Sequence, residues 1–327
     1  MASKEAELDL RHHSAIKPFL ISGAEVTENV VGQGAYGRVV EVKVDGAVCA
    51  AKEIHQILFQ VGKSKITDAF LRECKIMSSL RHPNITQFLG FCFLDKKATY
   101  PALVMERLAT NLHDTLVNNE SPAIPLGLKF SILCDVACGL AYLHCQSPAL
   151  IHRDLTAPNV LLTTGMKAKI ADLGMTREVN FKMTECPGNI VYMPPEAMEG
   201  NTNYTSAIDI FSWGVLTIFT LTQHFPTPRS ATFLNGSRTM GRSELERREE
   251  HMEKIKQRYN AQGNPTRPVI ALIQDCLHND PAKRPKIMEV LKQVTRLKED
   301  NAERDMTLTK LQFIQRVTVR PILYVAM

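Results

Sequence analysis

Three polar residues near the middle of the chain have the types and spacing of a metal and phosphate site. Asp154 and Asn159 stand five residues apart in a proline-containing loop, and Asp172 follows thirteen residues after Asn159. Amide and carboxylate oxygens on adjacent loops suit magnesium, which keeps water ligands and needs few ligands from the protein. Each residue taken alone would be read as a turn or cap residue, but their order along the chain favours a shared site.

A second feature, near the start of the chain, could hold phosphate. Gly32, Gly34 and Gly37 are spaced as G-x-G-x-x-G, a pattern that dinucleotide-binding folds also carry, followed by a helix. Here valine alternates with polar residues over 40–44, which indicates a β-strand instead. The glycines therefore predict a flap between two strands, whose backbone N–H groups can approach phosphate oxygens closely.

A lysine and a glutamate are expected to meet beside this flap. After a turn at Asp45 and Gly46, residues 47–51 form a returning strand that ends at Lys52. Glu73 lies twenty-one residues further on, within a helical pattern of apolar residues. A carboxylate from a neighbouring helix would fix the direction of the lysine ammonium, which could then bind phosphate oxygens. By itself, Lys52 would be read as a solvated surface residue.

The remaining periodicities divide the chain into two parts. Residues 85–93 and 100–108 read as two more strands, so the first third of the chain is mostly β-structure. Apolar residues at three- and four-residue spacing over 128–145 predict a long buried helix, and the rest of the chain reads as mainly helical. These patterns predict an α+β fold.

Composition excludes several classes of protein. The 327 residues are 44% hydrophobic and 22% charged, as in ordinary globular proteins, which excludes wholesale disorder. The net charge is +5, but no unbroken basic run is present, so no nucleic-acid partner is expected. No secretory signal is expected, and the apolar run at 213–221 is too short to span a membrane. Eight scattered cysteines fit reduced thiols in a cytoplasmic protein.

The features above occur together, and in this order, in the eukaryotic protein kinases, which the chain resembles over about residues 26–298. The motifs that carry the resemblance are the glycine loop, Ala50-Ala51-Lys52, Glu73, His152-Arg153-Asp154 with Asn159, Asp172-Leu173-Gly174, Pro194-Pro195-Glu196, Asp209-Ile210-Phe211-Ser212-Trp213-Gly214 and Asp280-Pro281-Ala282-Lys283-Arg284-Pro285.

The resemblance implies a two-lobed protein kinase fold that binds ATP in the cleft between its lobes. A small antiparallel β lobe with one main helix, called helix C in the family, would span 26–108, and a large, mainly α-helical lobe would span 109–298. Residues 1–25 would be an N-terminal extension, and 299–327 a C-terminal tail with helical potential.

The resemblance also assigns catalytic roles. Lys52, paired with Glu73, would hold the α- and β-phosphates of ATP. Asn159 and Asp172 would bind Mg²⁺, and Asp154 would orient the acceptor hydroxyl and take its proton. The nucleotide would also be bound by the glycine loop, by apolar residues on both sides of the adenine, and by the backbone at the end of the fifth strand, with Met105 as a bulky residue behind the adenine. These residues are Val31, Gly32, Gly34, Gly37, Val39, Ala50, Lys52, Met105, Glu106, Leu108, Leu161 and Asp172.

Two further roles implied by the resemblance are structural. Glu196 and Arg284 would form a buried ion pair in the large lobe. Asp209 would brace the catalytic loop from beneath.

The acceptor class follows from weaker signals. Thr156 and Pro158 stand where serine/threonine kinases carry Lys and tyrosine kinases carry Arg, so neither signature is present. The run 188–193 resembles the serine/threonine pattern, with Tyr192 where tyrosine kinases usually have Trp. The mixture most resembles the tyrosine-kinase-like group, whose members are mainly serine/threonine kinases. A protein Ser or Thr is therefore the expected acceptor. A tyrosine or dual-specificity kinase is the first alternative, and a nucleotide-binding pseudokinase scaffold is the second.

Regulation is expected in the loop between Asp172 and Glu196. Thr184, more than Thr176, is the candidate phosphorylation site, since a phosphate there could pair with Arg153. Cys186 in the same loop is a weaker candidate for a redox sensor.

Three other patterns have ordinary structural interpretations. The polar stretch at 223–262 is expected to be a solvated helical region more than a docking site. The spacing of Cys134 and Cys138 is compatible with metal binding but more typical of buried helix thiols. The apolar seam over 290–311, which includes Asn301, could support self-association as a coiled coil, but a helix followed by a loose tail is favoured.

Overall fold

The computed structural model describes residues 13–34, 37–53, 63–94, 101–117, 124–178, 190–198, 205–223 and 267–302. The described chain forms two compact units that divide between Leu108 and Ala109. The first unit is a β-sheet with one long helix, and the second is mainly helical, so the α+β class predicted from the sequence is confirmed.

The small unit is built on a five-stranded antiparallel sheet in the order β1-β2-β3-β5-β4. In chain order the strands are β1 Glu25–Gly34, β2 Gly37–Val44, β3 Ala47–Glu53, β4 Phe88–Phe93 and β5 Pro101–Glu106. Gly34 faces Gly37 in the β1–β2 register, so the glycine loop joins two strands as the alternation predicts. Strand β4 lies at one edge of the sheet.

Helix α1, Lys63–Ser79, is the long helix of the small unit. Thr67, Phe70, Cys74 and Met77 are buried, and their three- and four-residue spacing places them on one face. The Phe70 ring meets the Phe91 ring of β4 edge to face, with centroids 5.8 Å apart. An aromatic contact therefore joins α1 to the sheet.

The large unit is organised around a buried helix. In chain order the helices among its described residues are α2 Leu112–Val117, α3 Leu126–His144, α4 Pro195–Met198, α5 Ala207–Thr222, α6 Arg267–Cys276 and α7 Ile287–Ala302. Most of α3 is buried, and the indole N–H of Trp213 on α5 donates to the Leu133 carbonyl of α3 at 3.2 Å. A buried indole that keeps its hydrogen bond fixes the packing of α5 on α3.

Short strands and one-turn 3₁₀ helices shape the loops of the large unit. The strands β6 Thr110–Asn111, β8 Val160–Leu162 and β9 Ala168–Ile170 form one sheet, and β7 Leu150–Ile151 pairs with β10 Arg177–Glu178. The 3₁₀ helices are Leu173–Met175, Ile190–Tyr192 and Pro281–Lys283. The buried carboxylate of Asp135 on α3 accepts the Ala168 N–H at 3.0 Å, which fixes β9 to the central helix.

The apolar seam predicted over 290–311 begins on helix α7, where its residues are buried inside the large unit. Val290, Val294, Leu297 and Asn301 are all buried, and the Asn301 amide donates to the Leu297 carbonyl at 2.7 Å. Because this part of the seam is covered by the unit's own residues, its described portion offers no free face for a coiled coil. The predicted start of the tail, residue 299, lies within α7.

One described helix, α3, is long and apolar enough to cross a membrane, and 78% of its apolar window is buried inside the protein. That burial is typical of a core helix. The described cysteines are free thiols. Several predictions concern residues outside the described ranges. They are the predicted sites at Thr184 and Cys186, the stretch 224–262 and the tail after Ala302.

Candidate active site

Asp154 and Asn159 are joined by side-chain and backbone hydrogen bonds. The Asn159 Nδ2 atom donates to the Asp154 carboxylate Oδ2 at 2.9 Å and to the Asp154 carbonyl at 2.8 Å. Both bonds use the amide nitrogen, so the amide must be oriented with Oδ1 away from Asp154. The arrangement fixes the direction of the carboxylate and presents an amide oxygen of the kind that binds magnesium.

The segment that carries Asp172 is fastened to the same loop. The Ala171 N–H donates to the Asn159 carbonyl at 2.8 Å, and the His152 ring Nε2 lies 3.0 Å from the Ala171 carbonyl. Because a carbonyl only accepts, Nε2 carries the proton, and Nδ1 can accept the Asp154 N–H at 3.3 Å. His152 is therefore the Nε2–H tautomer and links the Asp154 loop to the Asp172 segment.

Asp172 has an unusual backbone conformation. Its φ of 59° and ψ of 69° lie in the left-handed region, which costs of order 1–3 kcal/mol for a residue other than glycine. Its carboxylate accepts the Gly174 N–H at 3.4 Å, and the intervening Leu173 side chain is buried. Strained backbone persists where surrounding contacts hold it, and such positions cluster at active sites.

Asp209 on α5 supports the catalytic loop from inside the unit. Its carboxylate accepts the N–H groups of His152 and Arg153, each at 2.9 Å, and lies 2.8 Å from His144 Nε2. Burial by itself would raise the pKa of Asp209, but the hydrogen bonds from the His144 ring and the Arg153 N–H outweigh it, so the pKa lies below its usual value. The bracing role implied for Asp209 is confirmed by these bonds. Arg153 has a left-handed φ of 72°. The hydrogen bonds from the N–H groups of His152 and Arg153 to the Asp209 carboxylate help to hold this conformation.

Two residues contribute to this support in ways that sequence reasoning missed. The sequence patterns assign no role to His144, yet its ring bonds to Asp209. Tyr192 was considered only as a marker of the acceptor class, yet its buried hydroxyl accepts the Ala157 N–H at 3.3 Å. Neither role has a local signal, since His144 and Asp209 are 65 positions apart and Ala157 and Tyr192 are 35 positions apart.

In the small unit, Lys52 and Glu73 form the expected ion pair. Lys52 Nζ lies 3.2 Å from Glu73 Oε1, and both side chains are partly buried. The β3 register places Lys52 between Val39 on β2 and Leu103 on β5. The lysine therefore stands in the middle of the sheet, and the carboxylate that holds it comes from α1.

The residues expected around adenine are distributed over both units. In the small unit, Val31 and Ala50 are buried, Val39 is half-buried, and Ala50 faces Met105 in the β3–β5 register. In the large unit, Leu161 on β8 is half-buried. Each of these residues is an apolar side chain on a strand of its own unit.

At the end of β5, the backbone N–H of Glu106 is already used in a hydrogen bond within the small unit. The Glu106 N–H donates to the Gln87 carbonyl at 3.1 Å, and the Glu106 side chain accepts the Gln87 N–H at 2.7 Å. A bond from Glu106 to adenine would therefore fall to its carbonyl. The Leu108 carbonyl accepts a hydrogen bond from the Arg107 guanidinium.

The predicted Glu196–Arg284 pair is formed and is bidentate. Arg284 Nη1 and Nη2 lie 2.6 and 2.8 Å from the two carboxylate oxygens of Glu196. Arg284 Nε also donates to the His278 carbonyl at 2.8 Å, and the guanidinium lies 5.0 Å from the Phe211 ring centroid. One buried arginine thus joins α4, α5 and the loop before α7.

Arg284→Lys is expected to destabilise the protein by about 2 kcal/mol, because a single ammonium cannot replace a planar fork that makes several charge-assisted bonds. Urea denaturation measures the change. Arg38→Lys is a matched control, because Arg38 forms an ion pair with Glu53 and is 53% exposed. Its loss should cost no more than about 0.5 kcal/mol. Equal losses in the two variants would contradict the structural role of Arg284.

Comparison with known proteins decides the family. The model of the protein kinase domain matches residues 26–294. The chain belongs to the protein kinase family. The antiparallel small lobe and the helical large lobe are those of the kinase fold, which confirms the two-lobed fold expected from the sequence motifs.

Curated relatives of this kinase include both acceptor classes. A probable serine/threonine-protein kinase of Dictyostelium discoideum is 30% identical over 268 residues, which cover 80% of this chain and 23% of that protein. Human mitogen-activated protein kinase kinase kinase 7 is 31% identical over 282 residues, which cover 83% of this chain and 41% of the relative. A seven transmembrane domain-containing tyrosine-protein kinase of Dictyostelium discoideum is 35% identical over 192 residues, or 57% of this chain and 27% of that protein.

The chain thus spans less than half the length of these relatives, and the similarity concerns their kinase domains. The set agrees with the resemblance to the tyrosine-kinase-like group.

Proposed function

We propose that this chain is a catalytically active protein kinase that transfers the γ-phosphoryl group of ATP to serine or threonine hydroxyls of a protein substrate. The observation that carries the proposal is the fixed geometry of Asp154. Its carboxylate is held by Asn159, which is joined through Ala171 to the segment of Asp172. A phosphoryl transfer enzyme needs mainly positioning and charge neutralisation, and these residues supply both.

Asp154 acts as the group that orients the acceptor. The hydroxyl of the substrate donates to its carboxylate, which turns the oxygen lone pair toward the phosphorus and receives the proton as the new P–O bond forms. The bond between the γ-phosphorus and the bridging oxygen breaks, and ADP leaves with that oxygen. The Asn159 amide keeps the carboxylate from rotating during this step.

The nucleotide is bound by residues with complementary chemistry. The Lys52 ammonium, directed by Glu73, binds the α- and β-phosphates, and the glycine loop contributes backbone N–H groups. Val31, Val39, Ala50, Met105 and Leu161 provide the apolar adenine surface, and the segment from Glu106 to Leu108 provides its polar contacts.

The residues present fit a magnesium ion. The Asn159 amide is oriented with its oxygen away from Asp154, and Asp172 supplies a carboxylate from the adjoining segment. Mg²⁺ would neutralise charge on the phosphates and is usually bound through one or two carboxylates plus phosphate oxygens and water. Among the described residues, no three His, Cys, Asp or Glu side chains form a metal cluster, and a phosphate-held magnesium requires none.

Asn159→Ala is expected to lower kcat/KM by about 10²-fold, because it removes one oxygen ligand and frees the Asp154 carboxylate. The concentration of magnesium needed for half-maximal rate should rise. Asn301→Ala is the matched control, since it removes another buried amide that donates to a carbonyl, on α7. The control should lose stability without a change in magnesium dependence. An unchanged magnesium requirement in Asn159→Ala would contradict the assignment.

The serine/threonine preference rests on the sequence around Tyr192 and on the Dictyostelium discoideum relative described as a probable serine/threonine-protein kinase. Phospho-amino-acid analysis of the autophosphorylated full chain tests it. Phosphoserine or phosphothreonine is expected. Phosphotyrosine alone would favour the first alternative, a tyrosine or dual-specificity kinase. The relative described as a tyrosine-protein kinase supports that alternative.

The pseudokinase alternative differs in one observable. A scaffold of that kind binds ATP without transferring phosphate, whereas the present proposal requires both. The four residues whose loss would favour a scaffold, Lys52, Asp154, Asn159 and Asp172, are all present. The enzyme is accordingly the preferred function.

A cytoplasmic location is also proposed, from the free thiols alone. The described cysteines form no disulfide, as in a reducing compartment. Burial raises the pKa of Cys92 to about 12, so this thiol is protected from oxidation as well.

A further inference from the structure

A short segment before the kinase-matched region lies along the edge of the small-unit sheet. Residues 16–21, here called the strap, include the one-turn 3₁₀ helix Lys17–Phe19. The Ile21 N–H donates to the Phe91 carbonyl of β4 at 2.8 Å, and Leu20 forms a parallel bridge with Phe91. Ile16 is 1% exposed, and the Phe19 ring packs on the Phe88 ring with centroids 5.8 Å apart. The strap thus covers the free edge of β4.

The fit between the strap and β4 is close enough to require a glycine. A Cβ atom on Gly90 would lie 2.4 Å from the Phe19 carbonyl oxygen and 2.8 Å from Ile21 Cδ1. Any larger residue at position 90 would therefore have to push the strap away from the strand. Ile21 also packs against the small-unit core, so the contact is more than a hydrogen bond.

The strand residue that holds the strap also contacts the helix that carries Glu73. The ring of Phe91 meets Phe70 of α1 at 5.8 Å, with an interplanar angle of 82°. Phe70 and Glu73 are three residues apart, so they lie on the same side of the helix. The backbone of Phe91 thus holds the strap while its side chain helps to set the position of α1.

The pairing of β3, β5 and β4 also connects Lys52 to Phe91 through the sheet. Lys52 faces Leu103 in the β3–β5 register, and Phe91 faces the same Leu103 in the β4–β5 register. Cross-strand partners project from one face, so Lys52 and Phe91 share a row beneath α1. The Lys52 ammonium in turn contacts α1, because its Nζ lies 3.2 Å from Glu73 Oε1.

We propose that the strap is a positioning element for the Lys52–Glu73 ion pair, and so controls nucleotide binding from outside the kinase-matched region. The strap holds the edge of β4, Phe91 holds Phe70, and Phe70 holds α1 at the height at which Glu73 reaches Lys52. Because Glu73 belongs to α1, a shift of this helix changes the 3.2 Å distance between Glu73 and Lys52. This inference rests on the proposed function for the role of Lys52, but not for the contacts.

Two substitutions detach the strap from opposite sides. Ile21→Pro removes the donor to Phe91, and the preceding Leu20 already has the extended backbone that a following proline requires. Gly90→Ala introduces the Cβ atom that meets the strap. Each variant should weaken binding of ATP by about three- to thirtyfold and raise the KM for ATP correspondingly. The double variant should be no weaker than the weaker single variant, because a strap can be detached only once.

The matched control is Leu89→Ala, next to Gly90 on β4 but with a side chain 40% exposed, which should leave ATP affinity unchanged. Phe19→Ala is a milder variant for use if Gly90→Ala fails to fold. Hydrogen exchange gives a readout that does not depend on activity. Amides of α1 should exchange faster in the strap variants, whereas amides of α3 should not.

Several outcomes would overturn the proposal. A lower melting temperature with unchanged ATP affinity and unchanged exchange in α1 would make the strap a stabilising element only. Additive losses of ATP affinity for Ile21→Pro and Gly90→Ala would show two independent defects. A wild type that binds ATP but transfers no phosphate would reject the proposed activity while the affinity and exchange tests still judge the strap.

Discussion

Asp154→Asn is expected to lower kcat by about 10²–10⁴-fold and to leave the affinity for ATP nearly unchanged. The asparagine keeps the size of the side chain, and its oxygen can still accept from Asn159 Nδ2, as the carboxylate does at 2.9 Å. What is lost is a group able to take the proton of the acceptor hydroxyl. The defect should therefore lie in the chemical step.

Steady-state kinetics and the affinity for a fluorescent ATP analogue separate these two effects. Asp135→Asn is a suitable control, because Asp135 is another buried carboxylate of the large unit, and it accepts a backbone N–H of β9 at 3.0 Å. The control should lose stability but retain its kcat. A kcat within about twofold of wild type in Asp154→Asn would remove Asp154 from the mechanism.

Asp209→Ala is expected to destabilise the protein by about 3–5 kcal/mol, the largest stability effect that the described contacts predict. The carboxylate is 1% exposed and receives the N–H groups of His152 and Arg153 as well as the His144 ring. Alanine leaves these donors buried without an acceptor, and the left-handed backbone of Arg153 loses its support. Activity should fall with stability, because the displaced residues adjoin Asp154.

Urea denaturation of the wild type and of Asp209→Ala measures this loss of stability, and Asp280→Ala is the control. Asp280 is an exposed N-cap whose carboxylate accepts a single N–H, from Ala282 at 2.9 Å, so its loss should cost about 1 kcal/mol. A loss of similar size in Asp209→Ala would contradict the bracing role of Asp209.

The difference in stability between wild type and Asp209→Ala should also depend on pH, in a direction that follows from the pKa of Asp209. The pKa of Asp209 in the folded protein is lower than its usual value, so its stabilising contribution is fully present above the unfolded pKa of about 3.9. That contribution is lost as the pH falls through the folded value. The difference in stability between wild type and Asp209→Ala should therefore be constant near neutral pH and shrink in strong acid. A difference that grows on acidification would mean that the pKa is raised instead.

Local sequence patterns were sufficient for the elements that carry the motifs. The alternation over 40–44 predicted a strand after the glycine loop, and β2 spans Gly37–Val44. The apolar spacing over 128–145 predicted a buried helix, and α3 spans Leu126–His144. Both predictions depend on contacts between residues near in the chain, for which periodicity is a direct signal.

Contacts between distant residues were less accessible. The strap has no apolar periodicity, and its position depends on the match between Ile21 and Gly90, residues on separate elements. The support of Asp209 by His144 likewise joins two helices. The seam of α7 shows a different limit. Its heptad-like spacing is compatible with a partner helix or with its own core, and only burial of Val290, Val294 and Leu297 distinguishes the two.

The central claim is that Asp154, held by Asn159, directs a protein hydroxyl toward the terminal phosphate of ATP. The most direct test follows radioactive label from the γ-position of ATP into protein, with purified full-length wild type and Asp154→Asn assayed side by side, with magnesium and with excess chelator. We predict that label enters serine or threonine only with wild type and only with magnesium. Wild type that binds ATP but incorporates no more label than Asp154→Asn would contradict the claim.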